Sequence, residues 1–138
     1  MQKQLNLKMK NTITTFLILL GLNSMAQSEN NLTKLIDKKW VIKTYEIGGQ
    51  NFPATDVGKD DYTMFFQDHN VKTVDHGITM LSKWKYDSEK NTLTLYSEKV
   101  AVTTEMKIYT LNENELVWQT INPEGMTIVI HMFHITEQ

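Results

Sequence analysis

The residue types able to do chemistry are few and scattered. The chain has four histidines, His69, His76, His131 and His134. His131 and His134 have the look of a metal pair. They lie three apart in a segment that reads as a strand, so they point to opposite faces and cannot chelate one ion without a bulge. A structural role fits them better. His69 falls in a hairpin turn exposed to water. His76 precedes Gly77 at a strand break, where it reads as a turn histidine or as a residue bordering a barrel mouth. Asp56, Asp60 and Asp61 resemble calcium ligands, yet they lack the alternating ligands and the glycine of a calcium loop and read as a solvated loop start. Glu46 shares the parity of Trp40 and Ile42, which would turn it inward; it is the acid to watch, set against a strand end that has simply reached solvent. No Gly-x-Ser-x-Gly, His-Glu-x-x-His, phosphate-loop or dinucleotide pattern occurs. The expectation is a protein without catalytic residues, metal site or cofactor, and not an enzyme.

Composition narrows the field further. The sequence of 138 residues is long enough for one domain and contains no cysteine, which excludes disulfides, thiolate metal sites and thiol catalysis. All 14 basic residues are lysines. Arginine is the preferred bidentate partner of phosphate and guanine, so its absence argues against nucleic-acid recognition. Lys3, Lys8 and Lys10 precede a short apolar run, Ile13 to Leu22, and then Asn23-Ser24-Met25-Ala26. That order is a signal peptide, residues 1–26, with cleavage after Ala26. The apolar run is about half of the roughly 20 residues that span a bilayer. The expected mature domain, 27–138, is exported, periplasmic or extracellular, not inserted in a membrane, and acidic.

The elements that position these residues are mostly strands. The stretch Met80 to Ser97 reads as one β-hairpin: Ser82, Trp84 and Tyr86 alternate with Lys83 and Lys85, and Leu93 and Leu95 alternate with Thr92, Thr94 and Tyr96. A four-residue loop, Ser88-Glu89-Lys90-Asn91, sets Trp84 opposite Leu95, with Asn91 suited to a left-handed conformation. Before it come a short helix over Leu32 to Lys39 capped by Asn31, a strand from Trp40 to Ile47 ended by Gly48-Gly49, and a long loop over 50–61. Strands Tyr62 to Phe66 and Val71 to Asp75 follow. After the hairpin come Val100 to Leu111, Leu116 to Ile121 and Met126 to Ile135, the last two joined by Asn122-Pro123-Glu124-Gly125, the strongest turn in the sequence. In the first of these, Val102, Thr104, Met106 and Ile108 form the inward set; Leu111 has the other parity, so a bulge intervenes or Leu111 faces elsewhere.

Eight strands joined by tight turns make an antiparallel meander, and closure removes its unpaired edges. The expected fold is all-β, an eight-stranded up-and-down barrel with a short N-terminal helix; a two-sheet sandwich of the same strand order is the alternative. Parity and composition direct Trp40, Tyr62, Phe66, Trp84, Tyr86, Met106 and Trp118 inward, as core or as ligand contacts.

The residues also resemble a family. The strand opening on Trp40, the F-Q-D-H-N-V turn at 66–71, W-K-Y-D-S-E-K-N-T-L-T-L at 84–95 and I-Y-T-L-N-E-N-E-L-V-W at 108–118 are similar to the small lipocalin-like domains exported by Bacteroidota. Two positions depart from the pattern: Lys38 and Lys39 precede Trp40 where lipocalins carry a glycine, and Asn70 stands where the family has a turn glycine. The resemblance implies an eight-stranded up-and-down barrel and, by analogy, binding of a small apolar ligand. The number of aromatic and methionine side chains that parity directs inward leads to the expectation that the seven residues hold an apolar or amphipathic molecule. The alternative is a filled barrel serving as a protein-interaction or structural module.

Overall fold

The computed structural model describes residues 32–136, and the strands all lie in the unit that begins at Lys34. The expected signal peptide and the Asn31 cap lie outside the described residues. Nine strands are present among them: β1 (Lys39–Ile47), β2 (Gln50–Pro53), β3 (Tyr62–Phe65), β4 (Asn70–Asp75), β5 (Ile78–Asp87), β6 (Thr92–Tyr96), β7 (Thr103–Leu111), β8 (Glu115–Ile121) and β9 (Thr127–Ile135). Every neighbouring pair is antiparallel, and β1 also pairs with β9, which closes the sheet into a barrel of eight strands. The ninth, β2, is an addition: it folds back on the second half of β1 through Gly48 and Gly49, both at positive φ. Glycine meets no steric cost there, so a tight hairpin forms where a loop was expected. No helix among the described residues is long and apolar enough to cross a membrane.

The interior is aromatic, with its side chains gathered around Phe65. Trp40, Phe65, Leu93 and Leu116 are wholly buried, with Trp84, Trp118, Met106 and Met132 nearly so. Phe65 meets Trp84 and Trp118 edge to face, at centroid distances of 5.9 and 6.1 Å, within the range that such pairs favour. The indole N–H groups of Trp40 and Trp84 donate to the carbonyls of Leu35 and Phe66, each at 3.0 Å. The helix is shorter than expected, one turn over residues 32–35. It stops because Ile36 bridges to Phe65 and Asp37, at φ 56°, donates its N–H to the Phe65 carbonyl. Extension to Lys39 would sacrifice those bonds, and Lys39 already belongs to β1.

The central hairpin has the expected register, Trp84 opposite Leu95, with Asn91 at φ 52°. At the other hairpins the details differ. In the 66–70 turn, His69 takes the left-handed conformation (φ 65°) and Asn70 is already in β4. Asn70 instead donates to the Asp68 carboxylate from its backbone N–H and from its side chain. Strand β7 begins at Thr103, and Val102 is exposed rather than inward. A bulge at Tyr109 lies between the pairs Ile108–Trp118 and Thr110–Val117, and it returns Leu111 to the face of Leu116.

Candidate functional site

Strand β1 has two partners on the edge away from β9. Its first two residues pair with β3, as Lys39–Met64 and Trp40–Thr63. Its last four pair with β2. The wall therefore parts after Trp40, and a cavity of about 250 Å³ lies inside the parting. Its apolar side is made by Trp40, Ile42, Met80 and Met132. Thr63 and Thr73, opposite one another on β3 and β4 with hydroxyls 3.3 Å apart, form a polar strip across the wall. The mouth is bordered by Asp56, Asp61, Asp75 and His76, and by Tyr45.

Two turns hold this mouth. His76 and Gly77 connect β4 to β5 with positive φ at both residues, 48° and 79°, the geometry of a two-residue hairpin turn matched to strand twist. Asp61 ends the loop after β2. Its carboxylate accepts the N–H of His76 at 2.7 Å and that of Gly58 at 2.6 Å. The His76 Nδ1 atom lies 2.6 Å from Asp75 Oδ1 and 3.7 Å from Asp61 Oδ2. The hydrogen bond to Asp75 holds the imidazole pKa above its ordinary value, and the negative charges of Asp61 and Asp75 raise it further. Burial pushes the Tyr45 hydroxyl up, and the nearby carboxylates of Asp56 and Asp75 add to the rise. Asp61, Asp75 and His76 bring possible ligand atoms within 4.8 Å of one another. Both Asp61 oxygens already accept backbone N–H groups, so the cluster is a fastening between two loops.

The seven residues expected to face a ligand divide into three groups. Trp40 lines the cavity. Trp84, Met106 and Trp118 are inward but belong to the buried core, with Trp118 Nε1 buried and unpartnered among the described residues. Tyr86, on the same face as Leu93, carries its hydroxyl to the Asn91 side chain at 2.7 Å, where it ties the 88–91 turn. Tyr62 and Phe66 are corrected in facing. The inward residues of that segment are Thr63 and Phe65, paired with Thr73 and Val71. Tyr62 borders the cavity at the wall's free edge, but its ring lies outside beneath the ammonium groups of Lys39 and Lys72, at 4.9 and 5.6 Å. Phe66 is half-buried beyond the strand end.

Glu46 is also corrected. The β1–β9 register shifts between Ile42 and Thr44, leaving Lys43 as an extra residue. That bulge reverses the parity beyond it, so Tyr45 turns inward and Glu46 outward. Outside, Glu46 lies 3.9 Å from His131, while His134 faces inward against Trp40 with ring centroids 6.0 Å apart. The two histidines are on opposite faces, as their spacing requires.

A closed antiparallel barrel of eight strands with a buried core and a cavity beside it belongs to the class of barrels that can hold one small molecule. The family model of the lipocalin-like domain matches residues 36–118, and the chain belongs to that family. A lipocalin-like barrel suggests, in general, the binding of a small hydrophobic ligand. No curated protein and no solved structure matches the sequence.

Proposed function

We propose that this protein is an exported, non-catalytic carrier that holds a small amphipathic molecule in the cavity beside Trp40. The observation that carries the reading is where the apolar surface has been left open. Phe52 pairs with Tyr45 and so shares its inward face; Ile78 and Met80 have the inward parity of Trp84. These three are 45%, 66% and 49% exposed. Met80 lines the cavity, and Phe52 and Ile78 continue the inward faces of Tyr45 and Met80 beside it. Exposed apolar side chains next to a concave opening mark a binding mouth rather than a neutral surface. At about 250 Å³ the cavity is just below the usual ligand-pocket range of about 300–1,000 Å³. It suits a small compound, or the tail of a larger one whose remainder rests on the apolar lip. The basic, apolar and small-residue order of 1–26 supports export.

Binding is tested by titrating amphipathic probes below their micellar concentration while following intrinsic fluorescence. Trp40 borders the cavity, so occupation should change its emission saturably. A Trp40→Phe variant should lose most of that change while still binding by calorimetry. Failure of every apolar and amphipathic probe to bind would overturn the carrier reading. N-terminal sequencing of protein recovered from its own host tests export, and an intact Met1 would refute it.

A further inference from the structure

The charged side chains around the cavity are all of one kind apart from a single histidine. Asp56, Asp61 and Asp75 border it with His76, and among the described residues no lysine does. Strand parity makes the separation. Lys39 precedes inward Trp40 and Lys72 precedes inward Thr73, and both ammonium groups lie over the outer ring of Tyr62. Cations therefore stand outside the same wall that carries carboxylates at its inner rim.

We infer that the molecule held in this cavity is an amphiphile with a cationic end, of the protonated or quaternary amine class, its apolar part against Trp40, Met80 and Met132 and its charge at the Asp56–Asp75 rim. The inference deepens the carrier reading and rests on it. The rim has acceptors to spare. Asp61 is committed to two backbone N–H groups and Asp75 Oδ1 to His76. Among the described residues, no hydrogen bond occupies Asp75 Oδ2 or the Asp56 carboxylate. A protonated His76 offsets one of three acids, so the rim stays negative. An ammonium entering there gains Coulomb attraction that a half-enclosed site screens less than open water does. Tyr45, at the mouth, adds an aromatic face of the kind that attracts such cations. A carboxylate end, as in a fatty acid, would meet the like charges of Asp56, Asp61 and Asp75, offset only by His76.

A matched series of probes distinguishes the cationic head from binding itself. Decylammonium, decanol and decanoate share one tail and differ only in the head. They are titrated calorimetrically at low salt, with the fold of each variant checked by circular dichroism. Decylammonium is expected to bind about tenfold or more tighter than decanoate, and 0.5 M salt should narrow that ratio. Asp56→Asn with Asp75→Asn should bring it towards one. If the double variant does not fold, Asp56→Asn alone is expected to narrow the ratio, because among the described residues no hydrogen bond depends on that carboxylate. Equal binding of all three probes, a preference for decanoate, or a ratio untouched in the folded variant would overturn the cationic-head inference and leave the carrier reading standing. Binding of none of the three would overturn both.

Discussion

Asp61 and His76 are 15 residues apart in sequence and are joined by a 2.7 Å hydrogen bond from the His76 backbone N–H to Asp61 Oδ1. The other oxygen of the same carboxylate accepts Gly58 N–H at 2.6 Å. One side chain, only 11% exposed, thereby joins the loop after β2 to the β4–β5 turn across the cavity mouth. The fit leaves no room at Gly58, where an added Cβ would stand 2.8 Å from Asp61 Oδ1.

Asp61→Ala should therefore loosen the mouth. Hydrogen bonds to a charged group contribute about 1.5–3 kcal/mol each, and partial exposure at the mouth reduces that. A loss of roughly 2 kcal/mol in urea unfolding is expected, with faster amide exchange at Gly58 and His76 and unchanged protection in β8 and β9. Gly58→Ala should produce the same local signature, because its Cβ displaces the carboxylate. Uniformly faster exchange across the barrel would show that Asp61 is no local fastening.

His76 supplies a pH prediction. Its pKa is raised, first by the Asp75 hydrogen bond and then by the charges of Asp61 and Asp75. A group whose folded pKa lies above its unfolded value stabilises the fold fully below the unfolded pKa, about 6.5 for histidine. That contribution is lost as pH rises through the folded value. An NMR titration should give His76 a midpoint above the ordinary histidine range, and Asp75→Asn should lower it. A His76 midpoint unmoved by Asp75→Asn would break the link.

The barrel was legible in the sequence because alternation and turn chemistry are local. Trp84 opposite Leu95, the left-handed Asn91 and the positive φ of Gly125 all follow from residues within one hairpin. The site was less legible because two features that shape it are not local. The bulge at Lys43 exchanges the facing of Glu46 and Tyr45, and nothing in W-V-I-K-T-Y-E-I announces it. The parting of β1 from β3 depends on β2, whose Gly48-Gly49 turn was visible but whose pairing was not. Tyr62 and Phe66 show a third limit. In an apolar run such as Y-T-M-F-F, composition does not fix parity, and Phe65 took the core position.

Trp84→Ala should be among the most damaging single changes. The ring is 2% exposed, packs on Phe65, and donates its indole N–H to Phe66. Removal should cost roughly 3–5 kcal/mol. Neighbouring Lys85 is exposed on the other face, and Lys85→Ala should stay within about 0.5 kcal/mol. Equal urea midpoints for the two variants would contradict the observed facing.

A final pair of substitutions separates the cavity from the buried core. Thr73 and Ser82 are both small inward residues, on adjacent strands. Thr73 lies opposite Met80 on the cavity wall. Ser82 lies opposite Val71, which is wholly buried. Phenylalanine at 73 has cavity space to enter and suits a strand, so Thr73→Phe should fold with stability within about 1 kcal/mol of the parent. It should also abolish binding of amphipathic probes by taking their volume. Ser82→Phe directs a ring into packed side chains, and overpacking of that kind costs about 1–3 kcal/mol. Its cavity, and hence its probe binding, should survive. Thermal unfolding and probe titration on both variants decide the matter. If Ser82→Phe blocks binding and Thr73→Phe leaves it intact, the ligand lies at the aromatic end and the cavity beside Trp40 is not its site.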